Sequence, residues 1–405
     1  MNMTSNETLA RFALSDEPAA YLFSNTKFQY NLSSILNAFK SIYPAVSIAY
    51  SFKTNYLKAI CNTILDKGQM AEVVSPHEYD YARTLGFPMS RIVYNGVIPD
   101  AMEKFKVAAG GGYVNVDNIG EYKLLSLIAK ERKTSIQLGI RVNFDCGNNI
   151  VSRFGIDIEG SEFAEIMSDI RENQYVHFGG FHTHVGSSRQ LNYWSIKATK
   201  MIELAKVYGA KYIDLGGGMF GEMPDELAEQ FSGYVGSFEG YAYVVAEKMS
   251  EAFPARNVNL ILEPGTALVG NTMRVAAKVY NVKKVQDQIY VTLGCCSNHI
   301  GMLCECRDIP AFVYHNPEID GSYRCRVVDA ILCGDTCLEF DYIKKNFKGN
   351  IAPGDTIVFE NCGAYSISAS RQFIVPRLPV YEEETDKLLM RAENSDDMLG
   401  RYYFW

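Results

Sequence analysis

Val46-Ser47-Ile48-Ala49-Tyr50-Ser51-Phe52-Lys53-Thr54-Asn55 is the stretch around which the rest of the chain is arranged. Val46–Tyr50 reads as a strand that runs straight into a lysine, and the chain then turns. A lysine at the end of a buried strand is costly unless it is paired or used covalently. If it is desolvated, its pKa falls and its neutral amine becomes a nucleophile able to form a Schiff base. The same pattern also describes a surface lysine just past a strand. The residues around it decide between the two.

Outward from this stretch a rhythm appears: a short apolar run, a turn, then an amphipathic helical segment. The runs are Val46–Tyr50, Met70–Val74, Arg91–Tyr94, Tyr113–Val116, Gln137–Val142, Phe178–His184, Tyr212–Leu215 and Leu260–Leu262. Helical spacing fills the gaps, as in Pro76–Leu85, Ile119–Lys130, Gly160–Glu172 and Ser195–Tyr208. Upstream, residues 20–24 read as a short strand and Asn31–Ile42 as a helix. Eight strands alternating with helices predict an α/β fold of the (β/α)8 TIM barrel type. A doubly wound open sheet is the alternative; the strand count and the lack of G-x-G-x-x-G after the first strand favour the barrel.

After about residue 270 the pattern changes to strands joined by turns: Val275–Val285, Ile289–Thr292, Ala311–Tyr314, Tyr323–Ile331, Asp355–Phe359 and Ser368–Val375. This predicts a second, all-β domain. A length of 405 residues agrees with two domains. There is no internal repeat and no low-complexity segment.

Composition narrows the function. A hydrophobic content of 47% with 21% charged residues is ordinary for a globular protein. A net charge of −8 argues against nucleic acid and anionic membranes as partners. No apolar run approaches the length of a membrane span. The first residues lack a basic segment followed by an apolar core, so they do not read as a signal peptide. The ten cysteines are therefore expected to be reduced thiols in a cytoplasmic protein.

In a barrel the active site lies at the C-terminal ends of the strands. The polar and glycine residues of this sequence fall there: Lys53 after the first strand, Asn95 and Gly96 after the third, and Asp117 after the fourth. Arg141 and Asn143 end the fifth, and His184, Gly186, Ser187 and Ser188 the sixth. Gly216, Gly217 and Gly218 follow the seventh; Glu263, Pro264 and Gly265 follow the eighth. Three consecutive glycines let backbone approach an anion and aim N–H groups at it. Loops after the last two strands commonly hold phosphate. A lone triple glycine is otherwise only a flexible turn.

Lysine, phosphate loop and buried carboxylate together point to pyridoxal 5′-phosphate. Lys53 would hold the aldehyde, the glycines the phosphate, and Glu263 the pyridine nitrogen, which is then a strong electron sink. His184 could stack on the ring, although a lone histidine on a strand is more often structural.

These residues resemble the fold-type III pyridoxal-phosphate decarboxylases, the group of ornithine, diaminopimelate and biosynthetic arginine decarboxylases, whose barrel alanine racemase shares. The resemblance covers nearly the whole chain. Ser51-Phe52-Lys53-Thr54-Asn55 matches the Schiff-base motif, implying that Lys53 carries the cofactor. Phe181-His182-Thr183-His184-Val185-Gly186-Ser187 matches the motif whose His, here His184, stacks on the ring and whose Ser touches phosphate. Asp214-Leu215-Gly216-Gly217-Gly218 matches the phosphate loop, and Glu263-Pro264-Gly265 the pyridine motif. Arg141-Val142-Asn143 and Arg153-Phe154-Gly155-Ile156 resemble two further segments. In the β domain, Gly334-Asp335-Thr336-Cys337-Leu338-Glu339-Phe340-Asp341 resembles the loop whose Cys and Asp enter the partner subunit's site. Gly363-Ala364-Tyr365 resembles a motif whose Tyr contacts phosphate.

The resemblance implies a homodimer with shared active sites. It also implies a barrel over residues 28–269 and a β domain built from residues 1–27 and 270–405. A glutamate at the pyridine nitrogen, where racemases place an arginine, together with Cys337, implies decarboxylation of an amino acid. An amino-acid racemase and a catalytically inactive cofactor-binding partner subunit are the alternatives.

The departures from the family concern phosphate and substrate. Glu-Pro-Gly-Arg is the usual motif, with the arginine on phosphate; here Thr266 stands in its place. The acidic residue that usually follows the cysteine is Leu338, with Glu339 one residue on. The usual Asp-Gly becomes Leu293-Gly294, and Arg-Pro-x-Leu-Tyr is degraded around Arg307. Asp341, Glu339 and Arg307 are the candidates for substrate contact, and the substrate's distal end is expected to be read in a non-standard way.

Cys295, Cys296, Cys304, Cys306, Cys325 and Cys333, with His299 and His315, have the residue types of a zinc site but not two clean C-x-x-C pairs. Packed core thiols and no metal are expected. His77 reads as a helix-surface residue, and Tyr402-Tyr403-Phe404-Trp405 as an aromatic end packing on a dimer interface or on its own domain.

Overall fold

The computed structural model describes residues 5–147, 152–186 and 189–402. Strand β1 (Ala19–Phe23) comes first. The barrel strands begin with β2 (Val46–Ser51), β3 (Met70–Val73), β4 (Ile92–Tyr94), β5 (Tyr113–Val116) and β6 (Ile136–Asn143). A two-residue strand, β7 (Ile156–Asp157), lies alongside β6. The barrel continues with β8 (Val176–His182), β9 (Tyr212–Asp214) and β10 (Asn259–Leu262). These eight strands pair in parallel around a closed ring, in which β5 meets β6 and β10 returns to β2 with Leu260 opposite Val46.

Each run forms a strand because it is apolar on both faces, and helices cover the outside. The helices include Lys58–Asp66, Pro76–Thr84, Ala101–Ala109, Ile119–Arg132, Ser161–Glu172, Leu191–Tyr208 and Phe238–Ala252. Ser75, Asn118 and Ser237 accept hydrogen bonds from the first turns of their helices. Such caps start each helix at a set point after its strand and so fix the loops at the barrel mouth. The barrel interior is tight: a Cβ on Gly139 or Gly180 would run into Tyr212.

The second domain is a nine-stranded sheet. It holds β1 with β11 (Met273–Val285), β12 (Gln288–Leu293), β13 (Ala311–Tyr314), β14 (Cys325–Cys333), β15 (Tyr342–Ile351), β16 (Thr356–Phe359), β17 (Val380–Glu382) and β18 (Leu388–Met390). Strand β1 is antiparallel to β11, with Tyr21 opposite Val275, so the sheet takes one strand from before the barrel and the others from after it.

Two expectations fail here. Ser368–Val375 is not a strand. Ile374 takes φ +53°, and Val375 N–H turns back on Phe373 O at 2.7 Å, so the apolar run makes a tight turn with Ile374 exposed. Tyr342–Ile351 is a strand that the sequence conceals. It pairs only with β14 at the sheet edge and carries Lys344, Lys345 and Lys348. Lysines are a common way to guard an exposed edge.

All ten cysteines are free. Cys295 and Cys296 are buried, but Cys306 and Cys325 are exposed, so the expectation of packed core thiols fails for those two. His77 is exposed on its helix. Tyr402 is exposed, and residues 403–405 lie outside the described residues. Among the described residues, no helix is long and apolar enough to cross a membrane.

Candidate active site

Lys53 sits in a single 3-10 turn, Phe52–Thr54, directly after β2. Phe52 is buried edge-on against Phe87, with ring centroids 5.7 Å apart, which anchors the turn from below. The lysine Nζ lies 2.5 Å from Glu72 Oε2, on the neighbouring strand β3. Its side chain remains 35% exposed, toward a cleft, while that of Glu72 is buried. Burial lowers the Lys53 pKa, but the carboxylates of Glu72 and Glu263 outweigh it, and the net displacement is upward. The depressed lysine expected from burial alone is thus replaced by a paired ammonium.

Glu263 follows β10 and reaches into the barrel. Its Oε1 accepts from Asn95 Nδ2 at 2.6 Å, and its Oε2 lies 3.3 Å from His182 Nε2. The polar chain continues inward: Asn115 Nδ2 donates to Asn95 Oδ1 at 2.9 Å, and Tyr212 Oη to Asn115 Oδ1 at 2.7 Å. Burial pushes the Glu263 pKa up, yet His182, Lys53 and His184 together hold it below the usual carboxylate range. Asp214, buried beside it, is pushed well up by burial and by the Glu263 charge. Two close buried carboxyls cannot both ionise cheaply. The result is an ionised Glu263 and a protonated Asp214, and Asp214 Oδ2 has no acceptor or donor partner among the described residues.

The triple glycine does not present three free N–H groups. Gly216 N donates to Asp214 Oδ1 at 2.9 Å and Gly217 N to His184 Nδ1 at 2.9 Å. Gly218 N alone lacks a partner among the described residues. Gly216, at φ +65°, lets the His184 ring lie where a Cβ would strike the histidine. Burial, then Lys53, hold the His184 pKa well below its ordinary value. His184 is therefore a flat, neutral ring beside the lysine.

The β domain closes the far wall. Tyr365 N donates to Thr54 O at 2.8 Å, and Asn55 Nδ2 donates to Gly363 O at 2.8 Å. The motif after Lys53 thus ties the lysine turn to Gly363-Ala364-Tyr365. Gly265 presses on the same turn, since a Cβ there would meet Thr54 Oγ1. One cleft gathers Lys53, His184, Gly217, Gly218, Glu263, Gly265, Thr266 and Tyr365.

The other candidates fall elsewhere. Arg141 is buried on β6, 3.6 Å from Asp117 Oδ1 and 4.7 Å from the Phe154 ring centroid, outside the cleft wall. Ser187 lies outside the described residues. Cys337 and Glu339 are exposed and line a separate cavity between β11, β12 and their own loop. Asp341 is buried, and its oxygens accept from Ser297 N at 2.8 Å and Thr336 Oγ1 at 2.6 Å. That geometry makes it a brace of the Cys337 loop, and it lines the same cavity. Arg307 packs 4.8 Å from the Phe231 ring centroid and donates to Cys306 O.

Sequence reasoning missed Glu72, Asn115 and Tyr212, and it named His182 and Asp214 only as parts of motifs. Glu72 left a trace: a carboxylate in the middle of Met-Ala-Glu-Val, a four-residue strand buried throughout.

An amine, an ionised carboxylate, a neutral ring and glycines that let the loop pack against His184 and Glu263 are a donor set that fits pyridoxal phosphate. Lys53 matches the aldehyde, Glu263 a protonated ring nitrogen, and His184 a ring face.

Residues 30–270, more than half of the chain, match the family described as pyridoxal-dependent decarboxylase, pyridoxal binding domain. Diaminopimelate decarboxylase of Methanocaldococcus jannaschii is 23% identical over 94% of this chain and 90% of its own length. That of Aquifex aeolicus is 24% identical over 89% and 86%. Among solved structures, diaminopimelate decarboxylase from Helicobacter pylori complexed with L-lysine has a TM-score of 0.81 at 21% identity, covering 96% of this chain and 98% of that one. The lysine/ornithine decarboxylase complexed with cadaverine from Vibrio vulnificus has a TM-score of 0.71 at 18% identity, covering 90% and 94%. These structural likenesses carry the barrel and β-domain fold.

Proposed function

The chain belongs to the pyridoxal-dependent decarboxylases and is a pyridoxal-phosphate-dependent carboxy-lyase acting on an amino acid; on that premise we propose how its own residues divide the work and which substrates it takes. The supporting observation is the convergence, in one cleft, of Lys53, the neutral His184 and an ionised Glu263. When bound, pyridoxal phosphate takes up the electron pair left on the substrate Cα as CO2 departs.

Lys53 offers the amine that holds the aldehyde. As it stands, it is an ammonium held by Glu72 Oε2 at 2.5 Å, and it must lose its proton before it can act as the nucleophile. Glu263, kept ionised and oriented by Asn95 and His182, would hold a proton at the ring nitrogen. His184, its edge pinned by Gly217 N–H, would cover a ring face. Cys337 would deliver the proton to Cα. It lines a cavity apart from Lys53 in its own chain, so a second copy supplies it.

The substrate is an amino acid whose distal group is not read by an acid after the cysteine, because Leu338 stands there. Diaminopimelate, named for the relatives, is therefore one member of the panel to be tested rather than the premise. Release of CO2 from the protein with pyridoxal phosphate, assayed across L-, D- and meso-amino acids, tests this reading. Release from one or a few, with the matching amine, is expected. Exchange of the Cα hydrogen without CO2 release would contradict it.

A further inference from the structure

Among the described residues, the motif residues at the phosphate end of the cleft supply no cation. Thr266 is uncharged, and two of the three glycine N–H groups already serve Asp214 and His184. Lys53 is paired with Glu72. One other cation lines the cleft: Arg189, on the loop after β8, bordering it together with Gly217, Gly218 and Thr266.

Arg189 is built into this wall. Its guanidinium carbon lies 5.7 Å from the centroid of Phe220, two residues past Gly218. Its backbone carbonyl accepts from Tyr241 Oη, and the same hydroxyl accepts from Phe220 N at 3.0 Å, so one tyrosine clamps both loops. Phe220 in turn packs on Phe231 at 5.2 Å, with Arg307 on its far side. Among the described residues, Arg189 makes no ion pair with a carboxylate, and burial lowers its pKa. A half-buried guanidinium without a carboxylate partner, lining the same cleft as the open N–H of Gly218, suits a phosphate by its chemistry.

We infer that Arg189 holds the phosphate of pyridoxal phosphate, taking the place left without a cation at Thr266. This rests on the cofactor reading above. Arg189 is a binding residue here and takes no part in proton transfer.

The test is a titration of apoprotein with pyridoxal phosphate and with pyridoxal, which lacks the phosphate. Wild type, Arg189→Met and Arg189→Lys are compared, reading the absorbance change and the borohydride-fixed product on Lys53. Arg189→Met is expected to weaken pyridoxal phosphate binding by about tenfold or more, while pyridoxal binding stays within about twofold, since only the charge-assisted bonds are lost. Arg189→Lys, which keeps the charge without the fork, is expected to fall between. Unchanged pyridoxal phosphate affinity in both variants would overturn the inference. So would an equal loss for both aldehydes, which would mean a structural role. No product on Lys53 with either aldehyde in wild type is a different failure: it would sink the cofactor reading itself, and this inference with it.

Discussion

The two halves of the site are built on opposite plans. In the barrel half each working group is held by neighbours within the same chain: Lys53 by Glu72, Glu263 by Asn95 and His182, His184 by Gly217. In the β-domain half the loop is braced through Asp341, but its thiol, Cys337, is exposed and lines a cavity of β-domain residues. A preorganised constellation suits cofactor chemistry, in which misplacement is costly. A rigid loop with an outward thiol suits delivery to another molecule. On the proposed reading, the barrel half binds the cofactor by itself, and the loop of Cys337 serves the site of a second copy.

The largest expected effect lies in the barrel half. Lys53→Ala removes the amine that accepts the aldehyde, so decarboxylation should fall by at least about a thousandfold, with no borohydride-fixed product. Cys337→Ala should lower amine formation by about a hundredfold or more while leaving that product on Lys53 unchanged. If both constants moved together, the separation of the two halves would be wrong. Mixing the two variants sharpens the comparison. Random pairing makes roughly half the dimers mixed, with one intact site of two, so about a quarter of the wild-type rate should return. A mixture that exchanges subunits and stays inactive would place Cys337 in its own chain's site.

Smaller effects test the bracing. Asp341→Asn removes the charge that receives Ser297 N–H and Thr336 Oγ–H, and should cost about 1–3 kcal/mol in a denaturant titration. Cofactor affinity should not change.

The smallest expected effect lies in the first turn of the helix that follows β3. Glu78 is buried, its Oε2 accepts from Val74 N at 2.8 Å, and burial and then Glu72 push its pKa up to about 7. A carboxyl raised on folding binds more protons in the native state than in the unfolded one between its two pKa values. Stability should therefore fall as pH rises from about 4.5 to about 7, by at most about 3 kcal/mol. Glu78→Gln should flatten that slope, and an unaltered slope would assign it to other groups.

The same contrast explains what could be read in the sequence. All eight barrel strands are legible because strands buried on both faces are apolar runs bounded by turns. Lys53, His184, the glycines and Glu263 are legible because they stand at the strand ends, where the barrel puts its chemistry. Glu72, Asn115 and Tyr212 were not, because they point into the barrel from within strands, where a polar residue looks like ordinary alternation. The β domain conceals more. Its edge strand Tyr342–Ile351 hides behind three lysines, and the apolar Phe373-Ile374-Val375 imitates a strand until a left-handed residue turns it. The state of Lys53 stays open in the sequence for a third reason. Burial can be seen from position, whereas its pairing with Glu72 depends on a neighbouring strand 19 residues away.

The most direct test of the central claim is to add pyridoxal phosphate to the purified protein, reduce it with borohydride and locate the product by peptide mass mapping. Loss of a visible absorption band and a single modified lysine, Lys53, is the predicted result. Modification of another lysine, or none at saturating cofactor, would contradict it.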